Sequence, residues 1–554
     1  MDRQYVIGVD FGSDSARAIV VDACSAEVLA EASMLYPRWE KRKYCDSECS
    51  QYRQHPKDYL EVLEGVLKEV LDQAGSSGRE KIAGIAVDTT GSTVCPVDEE
   101  GTPLAMLDAF LEEPDAMFHM WKDHTAVKEA RELNEHFSKG GTDYTQFQGE
   151  YSAEWFWAKI LHTVRKNPAV KAAAYTWVEH TDWIAGVLAG RTRPEEIVHC
   201  ACAAGHKALW NSRFGGLPAR DCLSGADPYL GLIHDRYSQQ PKNAGERIGM
   251  LSPKWASKLG LSEQVSVAVG SFDAHAGAVG VGISERTLVK VAGTSTVDMM
   301  IMKPEDIKGK NISVCCGMAE NSIVPGFYGC EAGQSAFGDT YVWYKRILMW
   351  PLEHMYIPEE ILPAQMRTGL QEYMAARMIC ELEKAAQEEG GDEKLTALDW
   401  FNGRRYPCLN ETVKSSISGL SLGTAAPDIY RALVKGTIFG SRHIYDSLVE
   451  AGAQIDRVIC VGGVAQKSRY IMQMLSDVLD VPIMVSKEKQ SCARGACVFA
   501  AVGAGLFPDV QAAQRALCET YEPTFYPRKD MHEKYQEEYA EYLELGEYTE
   551  GRRG

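Results

Sequence analysis

The chain has 554 residues, 45% hydrophobic and 24% charged, with a formal net charge of −19. That length exceeds what one hydrophobic core supports and calls for several domains. The acidic balance argues against a nucleic-acid backbone or an anionic membrane as partner, since both reward Lys and Arg, but it leaves room for a local loop that binds nucleotide phosphates.

From the N-terminus, MDRQYVIGVDFG runs into an apolar strand at Tyr5–Val9 without a basic or apolar leader, and no apolar stretch is long enough to span a bilayer. A cytoplasmic protein is expected. A second apolar run, Ala18–Val21, follows so closely that the two pair as an antiparallel hairpin, leaving no room for a crossover helix. Its tip carries Gly12, Ser13 and Ser15, whose backbone N–H groups and hydroxyls suit an anion nest. Asp10, at the strand end, would repel a bare phosphate but fits a divalent cation held between carboxylate and phosphate. A plain turn with aspartate as turn-former explains the stretch equally well.

Pro56–Ala74 reads as a helix with a core stripe of Leu60, Leu63, Leu67 and Leu71. Residues 82–93, 265–280 and 458–468 are strands ending in glycine-rich turns, with Asp88 and Asp273 at the ends of the first two. Ligands of open α/β sheets bind at such strand ends. Asp273 precedes a helix of small residues, where an aspartate ionised at pH 7 can accept a hydroxyl proton during phosphoryl transfer. It can also simply cap a helix beginning near Ala274, and His275 is an alternative base. Residues 287–302 repeat the strand–tip–strand pattern, so the chain reads as an internal duplication with Gly293, Thr294 and Ser295 at the second tip.

Residues 351–397 form a polar, mostly helical surface elaboration, a candidate contact between two copies of the chain. Gly436 and Gly440 mark close helix packing. Gly462 and Gly463 open a helix running to about Leu479; they serve either approach to a flat base or a turn with positive φ. The end of the chain reads as a helix with a frayed tail. The 16 cysteines include no C-x-x-C pair, so buried reduced thiols are the simplest reading, ahead of a zinc site using Cys45 and Cys49 or His199, Cys200 and Cys202.

The order DFGSDS, GTST and GGVAQKS, together with YSAEWFWAKILH (151–162) and ISGLSLGTAAPDIYRALVKGTIFG (417–440), resembles the FGGY carbohydrate kinases of the actin, Hsp70 and sugar-kinase superfamily. Segments 36–46, 120–126, 203–210, 331–339 and 398–405 are similar to the branch of that family acting on L-ribulose. The likeness runs from about residue 5 to about residue 505. It implies an α/β chain of two duplicated, ribonuclease H-like domains facing across a nucleotide cleft. Residues 1–265 would supply the sugar side and first hairpin; 266–525 the catalytic aspartate, second hairpin and adenosine pocket; 526–554 a terminal helix and tail.

The implied reaction moves the γ-phosphoryl group of ATP to the 5-hydroxyl of L-ribulose. Alternatives are D-ribulose, xylulose or a polyol as acceptor, or an ATP switch with no sugar. By the same resemblance, Asp273 is the base and Asp10 orients Mg²⁺ through water. Gly12, Ser13, Ser15, Gly293, Thr294 and Ser295 hold the phosphates, and Gly462, Gly463, Gln466 and Ser468 line the adenosine pocket. Lys207, Glu331 and Asp273 contact the sugar, with backbone or side chain near Thr93 and Val94 adding to them; Trp121, Lys122 and His124 form a wall of its pocket. Partners are then a sugar and ATP, with a homodimer as the candidate assembly and neither nucleic acid nor membrane involved.

Overall fold

The computed structural model describes residues 4–551 apart from 140, 238–239, 309, 311–316, 389–394, 411, 520 and 522–523. Part of the predicted surface elaboration and the last tail residues, 552–554, thus lie outside the described residues.

The opening hairpin forms as the spacing predicts. β1 (Tyr5–Phe11) and β2 (Ser15–Asp22) pair antiparallel with Asp10 opposite Arg17. β3 (Val28–Leu35) adds to β2, and β4 (Ile82–Thr89) joins β1 in parallel, setting Asp88 beside Asp10. With β5 (Arg247–Met250) and β6 (Ser266–Ala268) the order is β5-β6-β4-β1-β2-β3, and β7 (Ser271–Phe272) continues along β4.

A second sheet comprises β8 (Thr287–Ala292), β9 (Thr296–Met302), β10 (Gly317–Glu320), β11 (Tyr328–Ala332), β12 (Arg457–Val461) and β13 (Ile483–Val485), ordered β10-β11-β9-β8-β12-β13. The path β3-β2-β1-β4-β6 in the first sheet and β11-β9-β8-β12-β13 in the second take the same pairing sense at every step: antiparallel twice, then parallel twice. The duplication seen in two short hairpins is therefore a duplication of whole sheets.

β1 is buried at every position because both faces of its sheet are covered, which explains its nearly unbroken apolar run. Ile7, Val9 and Phe11 pack with Val62, Leu63 and Val66 of helix α1 (Pro56–Arg79), whose helical geometry breaks at Gly75. The other face meets α2 (Asp273–Gly280) and α3 (Ser491–Gly503), which lie between the sheets. One core joins Val6 and Ala86 of the first sheet to Val289, Met299 and Ile459 of the second through Ala276 and Cys497 of these helices. Their crossing is close: a Cβ on Gly495 would stand 1.8 Å from the Ala276 carbonyl oxygen.

These contacts correct the division at residue 265. β6 and β7 pair with β4, so Asp273 is carried by the first sheet, and α3 returns to that sheet from late in the chain. Burying the second face of β1 and β4 requires that return. The expected terminal helix forms as α4 (Lys529–Gly551), and it is anchored: Tyr535, Tyr539 and Tyr542 share one stripe and pack into the second domain's core beside Phe439. The predicted surface elaboration includes helix Ala364–Glu388 and carries exposed apolar side chains, among them Tyr356 (87% exposed) and Ile361 (75%). Among the described residues, no helix is long and apolar enough to cross a membrane.

A Gly495→Ala substitution drives a methyl group into backbone that cannot step aside. It is expected to cost about 1–3 kcal/mol of stability, read as a lower midpoint in urea unfolding at unchanged slope. An unchanged midpoint would mean that the two helices separate freely.

Candidate active site

Three aspartates converge at the strand ends of the first sheet. Asp10 is the last residue but one of β1, Asp88 is its register neighbour on β4, and Asp273 follows β7, whose Ser271 pairs with Asp88. Asp10 and Asp88 are buried, and burial pushes up the carboxyls of all three. For Asp88 the charges of Asp10 and Asp273 add to burial. Asp10 is partly compensated by the Arg17 guanidinium at 3.1 Å. No protein donor reaches either carboxylate oxygen of Asp88 among the described residues. Such a pair must either share a proton or hold a cation.

The chemistry of the pair suits a hard divalent cation, which Asp10 and Asp88 together could hold. Asp273 is not ionised as firmly as its helix position suggests. Ala274 N–H donates to it at 2.7 Å, but burial, followed by the charge of Asp10, raises it to about 7. It is also the first residue of α2, the cap position being Phe272.

On the other side of Asp273 lies a charged array. Lys207 closes the helix Ala201–Lys207 and is only 9% exposed, so it is no ordinary surface lysine. Its ammonium stands 5.1 Å over the Trp155 ring and 5.6 Å over Phe272. Glu331, on β11, accepts from His275 Nε2 at 2.9 Å, while His275 Nδ1 lies 2.9 Å from Cys202 Sγ. Burial opposes charge on Glu331, but Lys207 and His275 outweigh it and hold the carboxyl far below its ordinary range. Burial likewise pulls His275 down, yet Cys202 and Glu331 carry it up to about 10. A histidine charged in this way, with both nitrogens engaged, cannot be the base.

Thr93 and Val94 do not offer side chains to a sugar. Val94 is wholly buried in an apolar cluster with Trp157 and Trp177, and its strand Val94–Val97 pairs on both sides. The Thr93 hydroxyl meets Thr90 at 2.9 Å, and its N–H donates to Glu179 at 3.0 Å. Both are floor beneath the site. Trp121, expected in the sugar wall, donates its indole N–H to Ser13 Oγ at 3.0 Å and so stands over the first hairpin. Lys122 lies over the rings of Trp39 and Tyr52, and His124 meets Glu154 at 3.0 Å.

At both hairpin tips the carbonyl groups are already spent on protein donors. In the first, Tyr36 donates to Gly12 O at 3.0 Å and Gln54 to Ser13 O at 2.8 Å, while Ser15 O closes the turn on Gly12 N–H. In the second, Gly338 N–H donates to Gly293 O at 3.0 Å and Phe337 N–H to Thr294 O at 2.8 Å, with Ser295 O closing the turn.

The turn at Gly462 has φ 100°, and a Cβ there would stand 2.7 Å from Ala292 O, so this glycine brings the turn against the end of β8. Gly463 faces open space, and Gln466 is exposed with its amide 3.4 Å from Ser486 O. Ser468 is different. It caps helix Arg469–Leu479 through Ile471 N–H and donates to Glu383 at 2.7 Å, which splits the predicted helix in two and consumes the hydroxyl. Gly440 serves no helix pair: a Cβ there would stand 2.2 Å from Asp399 Oδ2, a group that Gln334 and Tyr542 bond at 2.7 and 2.8 Å.

The sequence matches the FGGY family of carbohydrate kinases, its N-terminal domain over residues 5–280 and its C-terminal domain over 288–504. The chain belongs to the FGGY family of carbohydrate kinases. It is 42% identical to a ribulokinase from Vibrio parahaemolyticus across 99% of this chain and 96% of that one. A ribulokinase from Geobacillus thermodenitrificans is 33% identical across 99% and 95%. A solved xylulose kinase from Rhodospirillum rubrum, 20% identical, superposes with TM-score 0.77 over 98% of both chains and attests the fold alone.

An FGGY kinase uses ATP as phosphoryl donor with a divalent cation and a sugar as acceptor, and the cleft has matching parts: paired carboxylates, two tips and a charged polar array. Sequence reasoning passed over the pairing of Asp88 with Asp10, Trp155 beneath Lys207, and the Cys202–His275–Glu331 array. Only the strand-end position of Asp88 signalled the pairing; the array is assembled from three separate segments and left no pattern to read.

Because Cys202 and Glu331 hold the proton on His275, its ring is expected to remain an imidazolium through about pH 8 in a ¹⁵N NMR titration. Removing the carboxylate by Glu331→Gln should lower that transition. A ring neutral at pH 7 would show that the array carries no charge.

Proposed function

We propose that this FGGY kinase is a ribulokinase that transfers the γ-phosphoryl group of ATP to the 5-hydroxyl of L-ribulose, with Mg²⁺ as its cation. The whole-length likeness to two ribulokinases supports the acceptor. The observation that carries the chemistry is Asp273, raised to about 7 and within electrostatic reach of both Asp10 and the His275–Glu331 pair.

In this reading Glu331 and Lys207 bind sugar hydroxyls, an anionic acceptor and a cationic donor held in fixed mutual orientation. A site of buried charged partners rejects analogues that leave those partners unpaired. Asp273 accepts the proton of the attacking hydroxyl as its oxygen bonds to the γ-phosphorus and the bond to ADP breaks. Gly12, Ser13 and Ser15 on one tip, and Gly293, Thr294 and Ser295 on the other, hold the phosphates from two sides. Gly462, Gly463 and Gln466 border the adenosine. Asp10 and Asp88 hold Mg²⁺ through its waters, and that ion supplies the positive charge that offsets the triphosphate. The free thiols among the described cysteines fit a cytoplasmic enzyme, and the apolar patch around Tyr356 and Ile361 fits a homodimer contact.

ADP release with Mg-ATP, measured against L-ribulose, D-ribulose, D-xylulose, L-xylulose, glycerol and no acceptor, tests the assignment. Preference for L-ribulose supports it, whereas hydrolysis indifferent to every sugar would remove the kinase reading of the array. Asp273→Asn is expected to lower kcat by about 10²- to 10⁴-fold with ATP binding retained.

The base must be ionised to act. kcat/KM for the sugar should therefore fall about tenfold per pH unit below about 7. Bound cation offsets the Asp10 charge that helps raise Asp273, so with saturating Mg-ATP this acid limb should move to lower pH. A limb that stays in place would mean that another group titrates.

A further inference from the structure

We infer that the start of α3 makes the Asp10–Asp88 pair into a three-ligand site for a thiophilic divalent cation such as Zn²⁺, with Cys492 as the third ligand. The inhibitory consequence rests on the proposed kinase reading of this cleft; the binding does not. Cys492 Sγ and one oxygen each from Asp10 and Asp88 lie within 4.8 Å of one another. Zn–O and Zn–S bonds of about 2.1 and 2.3 Å give a tetrahedral edge of about 3.6 Å, so the three groups need close by only about an ångström.

Asp88 supplies the independent sign of a ligand. It is wholly buried, and among the described residues no group except the neighbouring acid Asp10 comes within hydrogen-bond reach of its oxygens. Asp10 is free to turn toward a cation because its partner Arg17 is 44% exposed and can move into solvent. Cys492 is the second residue of α3, and its sulfur is 3.2 Å from where a Cβ on Gly277 would stand, so the thiol is held at the helix crossing facing the acids.

The thiol selects among metals. Mg²⁺ takes oxygen ligands and gains nothing from sulfur, whereas Zn²⁺ binds thiolate strongly. The step is a simple exchange: Zn²⁺ bonds to sulfur as the thiol proton leaves to solvent, with no change of oxidation state. Three protein ligands leave a fourth position for water or a phosphate oxygen. Zn²⁺ seated there removes Asp10 and Asp88 from the cation that accompanies ATP, so the site makes the enzyme sensitive to zinc.

The test uses the full chain, stripped of metal by chelation and free of nucleotide and sugar. Equilibrium dialysis with Zn²⁺ alone compares wild type, Cys492→Ser and Asp88→Asn. Circular dichroism establishes that each variant is folded, with Cys492→Ala in reserve. Wild type should bind Zn²⁺ about tenfold or more tightly than either variant. Co²⁺ in place of Zn²⁺ should give a thiolate-to-metal charge-transfer absorption that disappears in Cys492→Ser. Equal Zn²⁺ affinity in wild type and Cys492→Ser, or survival of the Co²⁺ band, would overturn the proposal, because other groups would then hold the metal. So would an absence of Zn²⁺ binding by all three proteins. In turnover at fixed Mg-ATP, Cys492→Ser should need more Zn²⁺ than wild type for half-inhibition; equal inhibition would overturn the regulatory consequence. Failure of the acceptor assignment leaves the dialysis result intact, and failure of the dialysis result leaves the acceptor assignment intact.

Discussion

The cleft depends on a charge conflict that the protein alone does not resolve. Asp10, Asp88 and Asp273 are brought together by strand pairing, and desolvation penalises each charged form. Among the described residues Arg17, partly in water, faces Asp10, and His275 acts on Asp273, so the cluster still holds more carboxylates than counter-charges. Its cheapest states keep a proton or take up a cation. In the proposed reading a cation held by Asp10 and Asp88 would displace the proton the pair shares and, by offsetting the Asp10 charge, would ease the ionisation of Asp273. Base and cation site are thereby coupled through a few ångströms of low-dielectric interior.

What forces these acids together is the sheet duplication and the two helices between the copies. β1 and β4 run parallel, so their C-terminal ends, with Asp10 and Asp88, finish at the same level. α2 and α3 then pack closely enough that Gly495 has no room for a methyl group. This crossing carries Asp273 at one helix start and Cys492 at another, so the packing that joins the domains also sets the spacing of the chemistry. The small residues of 273–280 and 491–503 serve that crossing.

Much of this was legible in the sequence where local spacing decides structure. Two apolar runs separated by a short glycine–serine tip have few options besides a hairpin, so both hairpins and the duplication could be read directly. Asp273 was legible because an acid after a strand and before a helix of small residues has a short list of uses. Where the outcome depended on distant partners, reading failed. The sheet membership of 266–272 is set by pairing with β4, nearly two hundred residues earlier by count of the chain. The Val94 side chain, by position a candidate for the cleft, is claimed by strands on both sides and an apolar cluster, which leaves only backbone near it for a ligand. Ser468 looks like part of an adenosine loop until Glu383, from a separate helix, takes its hydroxyl. The ionisation of Asp273 was misjudged because a helix N-terminus can be seen in sequence, while burial cannot.

The segment 331–339 ties the acceptor side to the phosphate side. Glu331 faces His275 and the sugar array; three residues later Gln334 receives from Ser441 at 2.6 Å and donates to Asp399 at 2.7 Å. Asp399 is in turn bonded by Tyr542 of α4, and Thr296, at the base of the second tip, donates to Asp298 while accepting from Gln334 N–H. Immediately beyond, Phe337 and Gly338 grip the carbonyls of that tip. A displacement of Glu331 by a bound sugar therefore acts on a short, buried and hydrogen-bonded stretch whose other end holds the second tip. Buried networks of this kind resist partial rearrangement, because each unmade bond leaves a desolvated polar group. If, as proposed, Glu331 binds the acceptor and the second tip the phosphates, the two share one rigid element, which would favour phosphoryl transfer to a seated sugar over transfer to water.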